Sequence, residues 1–243
     1  MNERKPLVGF DRYLELAWLD QTAAWVSEGK SPKEVHELID DFLSPYISGA
    51  TSKRKTKNTL SGAWVKSDTN TVLFKKQGQD LFRNASRDER LALHYGVLVA
   101  TYPFFLSLGR ILGRLFKLQD EVTTAEFYRR VIETIGDRDS IKRAAARYVQ
   151  SLNEWGTLRQ VGKATFAPTS KVRLTRSELV TWLYASVLYS CDSDRLSVDD
   201  ITSDPVWFPF DIPHGPFDYL ASDLLKVAHQ GIGTTLLQLG PKG

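Results

Sequence analysis

Apolar residues recur at three- and four-residue intervals through most of the chain, and that period predicts a mainly α-helical protein. A first helix is expected over about 10–28, from Leu14, Ala17, Trp18, Ala24 and Trp25, with Gly29 ending it. Ser31-Pro-Lys-Glu34 reads as an N-cap, a proline at the first helical position and a reciprocal capping glutamate, ahead of Val35, Leu38, Ile39 and Phe42. Pro45 closes that helix, and Thr51 or Ser52 can cap a third one running towards Trp64. Residues 67–85 are polar and weakly patterned, so a linker or loop is expected there. Ser86-Arg-Asp-Glu89 repeats the capping box and opens a helix over 87–101; Pro103 starts another over 103–117.

Beyond residue 120 the pattern becomes more specific. Thr123 or Thr124 opens a helix with Phe127, Val131 and Ile135 inward and Gly136 at its end. Asp137-Arg-Asp-Ser140 offers caps for a helix over 139–155, with Ile141, Ala144, Ala145, Tyr148, Val149, Leu152 and Trp155 on one side. Two extended pieces follow, Thr157–Val161 and Ala164–Ala167; the Gly162-Lys163 pair between them fits a type II′ hairpin turn. Thr175-Arg-Ser-Glu178 reads as a third capping box, for a helix over 176–190. Residues 192–216 read as an acidic, proline-punctuated loop whose Val206-Trp-Phe-Pro-Phe210 cluster is either tucked over the core, the favoured reading, or an exposed docking patch. A last helix is expected over 216–229, and the apolar run Thr234–Leu239 can add a strand to the fold or to a partner.

The stretch Leu91–Gly109 holds 19 residues without Asp, Glu, Lys or Arg, about the length of a membrane span. His94, Tyr95, Thr101, Ser107 and a central Pro103 favour instead two helices buried in a core, and no membrane partner is expected. The fold class is therefore mainly α: a helical N-terminal module over 1–66, a linker and buried helical pair over 67–118, a winged helix-turn-helix module with a small β-hairpin over 119–190, and an acidic extension over 191–243.

Charge sharpens this division. Residues 1–50 carry 5 Lys/Arg against 9 Asp/Glu, residues 51–190 carry 24 against 12, and residues 191–243 carry 3 against 8. A basic centre between acidic ends points to a polyanionic partner, or to a solvated surface with uneven charge. The candidate DNA-binding residues are Lys53, Arg54, Lys55 and Lys57 in the third helix, Lys142, Arg143 and Arg147 in the helix over 139–155, and Arg159 and Lys163 in the wing. One helix fits the major groove of duplex DNA, Arg and Lys bond guanine edges or neutralise phosphates, and a wing can straddle the neighbouring backbone. The competing reading makes the winged module a protein-interaction scaffold, with Arg143 and Arg147 paired to Asp139 or Glu154. A transcription regulator is a variant of the DNA reading.

Catalytic chemistry has little to work with. His36, His94, His214 and His229 are scattered, with no HxH or HExxH, and read as surface or satisfied core histidines. Cys191 reads as a plain buried thiol, and one cysteine supports neither a disulfide framework nor a structural zinc. Gly109-Arg-Ile-Leu-Gly113 reads as helix packing, not a phosphate loop, and Asp192, Asp194, Asp199 and Asp200 lack the Glu-x-Lys-like pair of a metal nuclease. The first 20 residues carry Glu3, Arg4, Lys5, Asp11, Arg12 and Glu15, so no signal-peptide core is expected there and a cytoplasmic protein is the default. Neither an enzyme nor a cofactor is expected.

The order of features resembles a known family. A basic helix, Thr51-Ser-Lys-Arg-Lys-Thr-Lys-Asn-Thr-Leu60, precedes Ser86-Arg-Asp-Glu-Arg90 and Thr101-Tyr-Pro-Phe-Phe-Leu106. Ser151-Leu-Asn-Glu-Trp-Gly156 then leads into the hairpin. Over roughly residues 9–190 this is similar to the BrxA family of bacterial BREX phage-defence islands. The resemblance implies a small non-enzymatic protein that binds double-stranded DNA beside other defence-system proteins. The acidic C-terminal part departs from the shorter family pattern, and no binding residue carries over by motif identity.

Overall fold

A computed structural model describes residues 9–191, 193, 195–212, 222–230 and 234–240. Local signals set the first helices. Ser31 and Ser86 each accept from the backbone N–H three residues on and are bonded back by Glu34 and Glu89, so α2 (Pro32–Leu43) and α5 (Arg87–Thr101) start at complete capping boxes. α1 (Leu16–Ser27) begins later than its apolar pattern predicts. α3 (Ala50–Trp64) starts at Gly49 without a side-chain cap, so neither Thr51 nor Ser52 serves as its N-cap.

The segment expected to be a loop at 67–85 is largely a helix, α4 (Val72–Arg83). Its apolar residues Phe74, Leu81 and Phe82 are buried, Phe82 against Trp64 and His94 and Phe74 against a partner distant in sequence. Trp182 stacks on Phe74 at 4.3 Å and 7°, and its Nε1 donates to the Phe74 carbonyl at 2.8 Å. The indole leaves no room for a side chain at either Gly78 or Gly96.

α5 packs along α9 (Ser177–Ser190), each with a run of ten buried residues, Leu91–Ala100 and Leu179–Leu188. α6 (Pro103–Phe116) turns away from α5 by 116°, and among the described residues no single helix is long and apolar enough to cross a membrane. At α9 the third capping box is absent: the N-cap is Arg176, with no side-chain bond. Within the core, Trp64 Nε1 donates to His94 Nδ1 at 3.1 Å and His94 Nε2 donates to Asp20 Oδ1 at 2.8 Å. That arrangement fixes a neutral tautomer, and burial holds its pKa below the usual histidine value.

The third quarter folds as β1 (Val122–Thr123), α7 (Thr124–Ile135), α8 (Asp139–Glu154), β2 (Leu158–Gly162) and β3 (Thr165–Pro168). These strands form one antiparallel sheet in the order β1-β3-β2. Thr123 caps α7, whereas α8 starts at Arg138 with no side-chain cap. The hairpin departs from the expected type II′ turn: its register shifts between Gln160 and Gly162, and Ala164 takes the positive φ, 61°.

The C-terminal part contains more structure than a loop and a helix. β4 (Val172–Arg173) pairs in parallel with β6 (Phe210–Asp211). β5 (Arg195–Ser197), α10 (Val198–Thr202) and a 3-10 turn over Pro205–Trp207 fill 195–207. Val206, Trp207, Phe208 and Phe210 are buried, so the aromatic cluster is tucked in. A Cβ on Gly113 would lie 1.9 Å from the Pro205 carbonyl oxygen and one on Gly109 2.9 Å from Val206, which makes these glycines packing positions. Instead of a last helix, β7 (Leu225–Gln230) pairs with β8 (Thr234–Leu239), which also pairs with β5. The apolar tail is thus the central strand of an internal sheet. The helix expected over 216–229 otherwise falls at 216–221, outside the described residues, as do Asp192, Asp194 and His214. Cys191 is half-buried, not buried, with its Sγ 3.8 Å from Arg110.

Candidate nucleic-acid interface

α8 is held from both ends. Gly136, at φ 123°, turns the chain out of α7. At the other end three bonds tie residues 14–16 to it. Leu14 N–H donates to Ser151 Oγ at 2.9 Å, Trp155 Nε1 donates to the Leu14 carbonyl at 2.9 Å, and Leu16 N–H donates to Glu154 Oε2 at 2.8 Å. Glu154 thereby supplies the cap that Glu15, the N-cap residue of α1, does not make. Burial pushes the Glu154 carboxyl above the usual carboxylate range, the Leu16 bond pulls it down, and Glu15 pushes it up.

Burial of Ile141, Ala144, Ala145, Tyr148 and Leu152 leaves Arg143, Arg147 and Gln150 exposed at i, i+4 and i+7, along one side of the helix. Arg147 Nη1 donates to Gln150 Oε1 at 2.7 Å. A cleft of about 660 Å³ lies between this side and the β2–β3 hairpin, with Tyr13, Arg147, Gln150, Asn153, Gln160 and Thr165 among its walls. Ala164 also lines it, which brings the hairpin turn beside Lys163 close to α8.

The sequence-predicted cations divide by their partners. Lys57 lies 3.0 Å from Asp40 and Lys142 2.8 Å from Asp137, so carboxylates already neutralise both. These bonds hold Asp40 below and Lys142 above their usual ranges. Lys53 Nζ donates to Ser44 Oγ at 3.1 Å. Arg54, Arg143, Arg159 and Lys163 are exposed, and their side chains make no hydrogen bond or ion pair among the described residues. Arg159 alternates with the cleft-lining Gln160, and strand periodicity turns it to the opposite face of the hairpin.

Two basic segments far apart in sequence influence one carboxylate. The Asp11 carboxylate accepts from Arg12 Nε at 3.0 Å and Nη2 at 3.1 Å, and Lys55 Nζ lies 3.9 Å away. The Arg12 bond, opposed by burial and aided by the positive charges of Arg12, Lys55 and Arg143, holds this carboxyl below its usual range. Lys55 of α3 and Arg143 of α8 therefore act on one common group. Sequence reasoning missed Arg12 and Tyr13, which fall inside the helix expected over 10–28 but precede α1 in the structure. It also missed Gln150, Asn153 and Gln160, although plotting the polar side of 139–155 would have displayed the first two. No family model, curated protein or solved structure matches the chain.

Proposed function

We propose that the chain is a non-enzymatic, cytoplasmic protein that binds double-stranded DNA mainly through its phosphates, as an accessory component of a BREX-type anti-phage system. In this reading β1, α7, α8 and the β2–β3 hairpin are a winged helix-turn-helix. The strand before the helix pair joins the hairpin in the order β1-β3-β2, and α8 turns a side rich in Arg and Gln outwards over a cleft bounded by the wing. The observation that carries the reading is the segment 11–14, which meets Lys55 of α3 at Asp11 and is bonded at Leu14 to α8, so that it brings the α3 basic run beside the α8 side. Defence as the setting follows from the resemblance described above.

Duplex binding measured by fluorescence anisotropy across salt concentrations tests it. The cations without a carboxylate on that side, Arg143, Arg147 and Lys163, together with Lys55, would give a slope of log affinity against log salt of about −3.6, at about −0.9 per phosphate. Replacing Arg143 and Arg147 by Ala should flatten it by about 1.8 with no change in melting. A salt-independent affinity, or an unchanged slope in the folded double variant, would overturn the proposal.

A further inference from the structure

Arg12 holds Asp11 through two parallel N–H···O bonds, a fork geometry that fits a phosphate as well as a carboxylate. Its remaining nitrogen, Nη1, lies 3.4 Å from Ser52 Oγ, which ties the guanidinium to the first turn of α3; Lys55 stands one turn further along. Arg143 of α8 makes no ion pair there, but its charge acts on Asp11 from farther off. The side chains are open to water, with exposures of 34% for Asp11, 24% for Arg12 and 49% for Lys55. The segment is anchored elsewhere, by Leu14, so its attachment does not require this charge cluster. Arg12 and Lys55, from two elements, around one carboxylate leave a net charge of about +1, with the anion on a short, accessible side chain and the α8 cations beyond it.

The geometry points to a phosphodiester-binding subsite formed by Arg12 and Lys55, whose anion position is held by Asp11 until a nucleic-acid phosphate displaces it. The subsite rests on the DNA-binding reading for its natural ligand, but its chemistry is that of any phosphate. Asp11 thus lowers affinity, keeps the cations gathered in the free protein and adds a competing anion at the joint between the two basic segments.

Asp11→Asn keeps the side-chain size and one acceptor and removes the charge. Duplex affinity at about 50 mM salt should rise roughly tenfold, the scale of one charge-assisted hydrogen bond, and the salt slope should steepen by about 0.9. A second arm uses inorganic pyrophosphate at low salt: it should raise the melting temperature of Asp11→Asn and leave the wild type nearly unmoved. Wild-type duplex binding with no gain in either arm for Asp11→Asn overturns the subsite and leaves the DNA reading intact. Pyrophosphate stabilisation of Asp11→Asn without duplex binding by either protein supports the subsite and overturns the DNA reading. If Asp11→Asn melts early, Lys55→Gln replaces it and should flatten the duplex slope by about 0.9; an unchanged slope again overturns the subsite.

Discussion

Ser151→Ala is a narrow perturbation with a calculable cost. Ser151 and Leu14 are both 0% exposed, and the serine hydroxyl is the acceptor for the Leu14 N–H. The same hydroxyl donates to the Arg147 carbonyl, a group that already accepts within the helix, so its loss there matters little. Alanine leaves one buried N–H without a partner, at about 1–3 kcal/mol. Trp155→Phe removes the donor to the Leu14 carbonyl and strands that oxygen, for a similar loss of about 1–3 kcal/mol plus a smaller packing term.

The two losses do not add. Once residues 13–16 detach from α8, water satisfies both groups of Leu14, and the cost is bounded by exposing its side chain, about 1.5–3 kcal/mol, together with its neighbours' contacts. The double variant is therefore expected to lose less than the sum of the two single losses, with a ceiling of about 3–4 kcal/mol. Urea unfolding followed by tryptophan fluorescence measures each value and reports an altered m-value if the segment peels away in the native state. A loss below about 0.5 kcal/mol for Ser151→Ala, the range of an ordinary surface change, refutes the joint. Full additivity refutes the detachment.

Two further outcomes follow from other parts of the molecule. Gly113→Ala forces a Cβ onto the Pro205 carbonyl, backbone that cannot rotate away; thermal unfolding should show a loss of about 1–3 kcal/mol, and Gly29→Ala, at φ 84° with open space, should instead show only backbone strain of about 1–2 kcal/mol. Lys75 is buried, donates to the carbonyls of Gly62 and Lys66, and has its pKa lowered by burial to about 8 against an ordinary 10.5. Between those values the unfolded chain binds the extra proton, so stability should rise as pH goes from about 8 towards 10.5, by at most about 1.4 kcal/mol per unit, and Lys75→Met should abolish that slope in urea titrations.

The elements legible in the sequence are those fixed by neighbours in the chain. Ser31 with Glu34 and Ser86 with Glu89 act across three residues, and both capping boxes form as read. The α4 helix escaped notice because Phe74 acquires its meaning from Trp182, 108 residues further on, and Phe82 from Trp64 and His94. The helix expected over 216–229 gives way to β7 from Leu225 because a strand here is decided by pairing with β8 and not by its own periodicity. The same division holds at the candidate interface. Cations are visible as letters, whereas their partners Asp40, Asp137 and Asp11 are assigned only through space, so the charge count overstated what Lys57 and Lys142 can offer.

α8 carries two duties on different sides. Its C-terminal half, through Ser151, Glu154 and Trp155 at its cap, holds the entry to α1; its outer side offers Arg143, Arg147 and Gln150. Arg12 and Tyr13 lie directly before the anchored Leu14, so their approach to α3 and to the cleft depends on that anchor. A rigid joint sets the spacing between the α3 and α8 cations, and spacing decides how many phosphates can be met at once on a duplex with a charge about every 1.7 Å of axis. Loosening the joint without touching a cation therefore leaves total charge unchanged while reducing the number of simultaneous contacts. That separates a surface shaped for a duplex from one that is merely positive, because a merely positive surface responds to charge count alone.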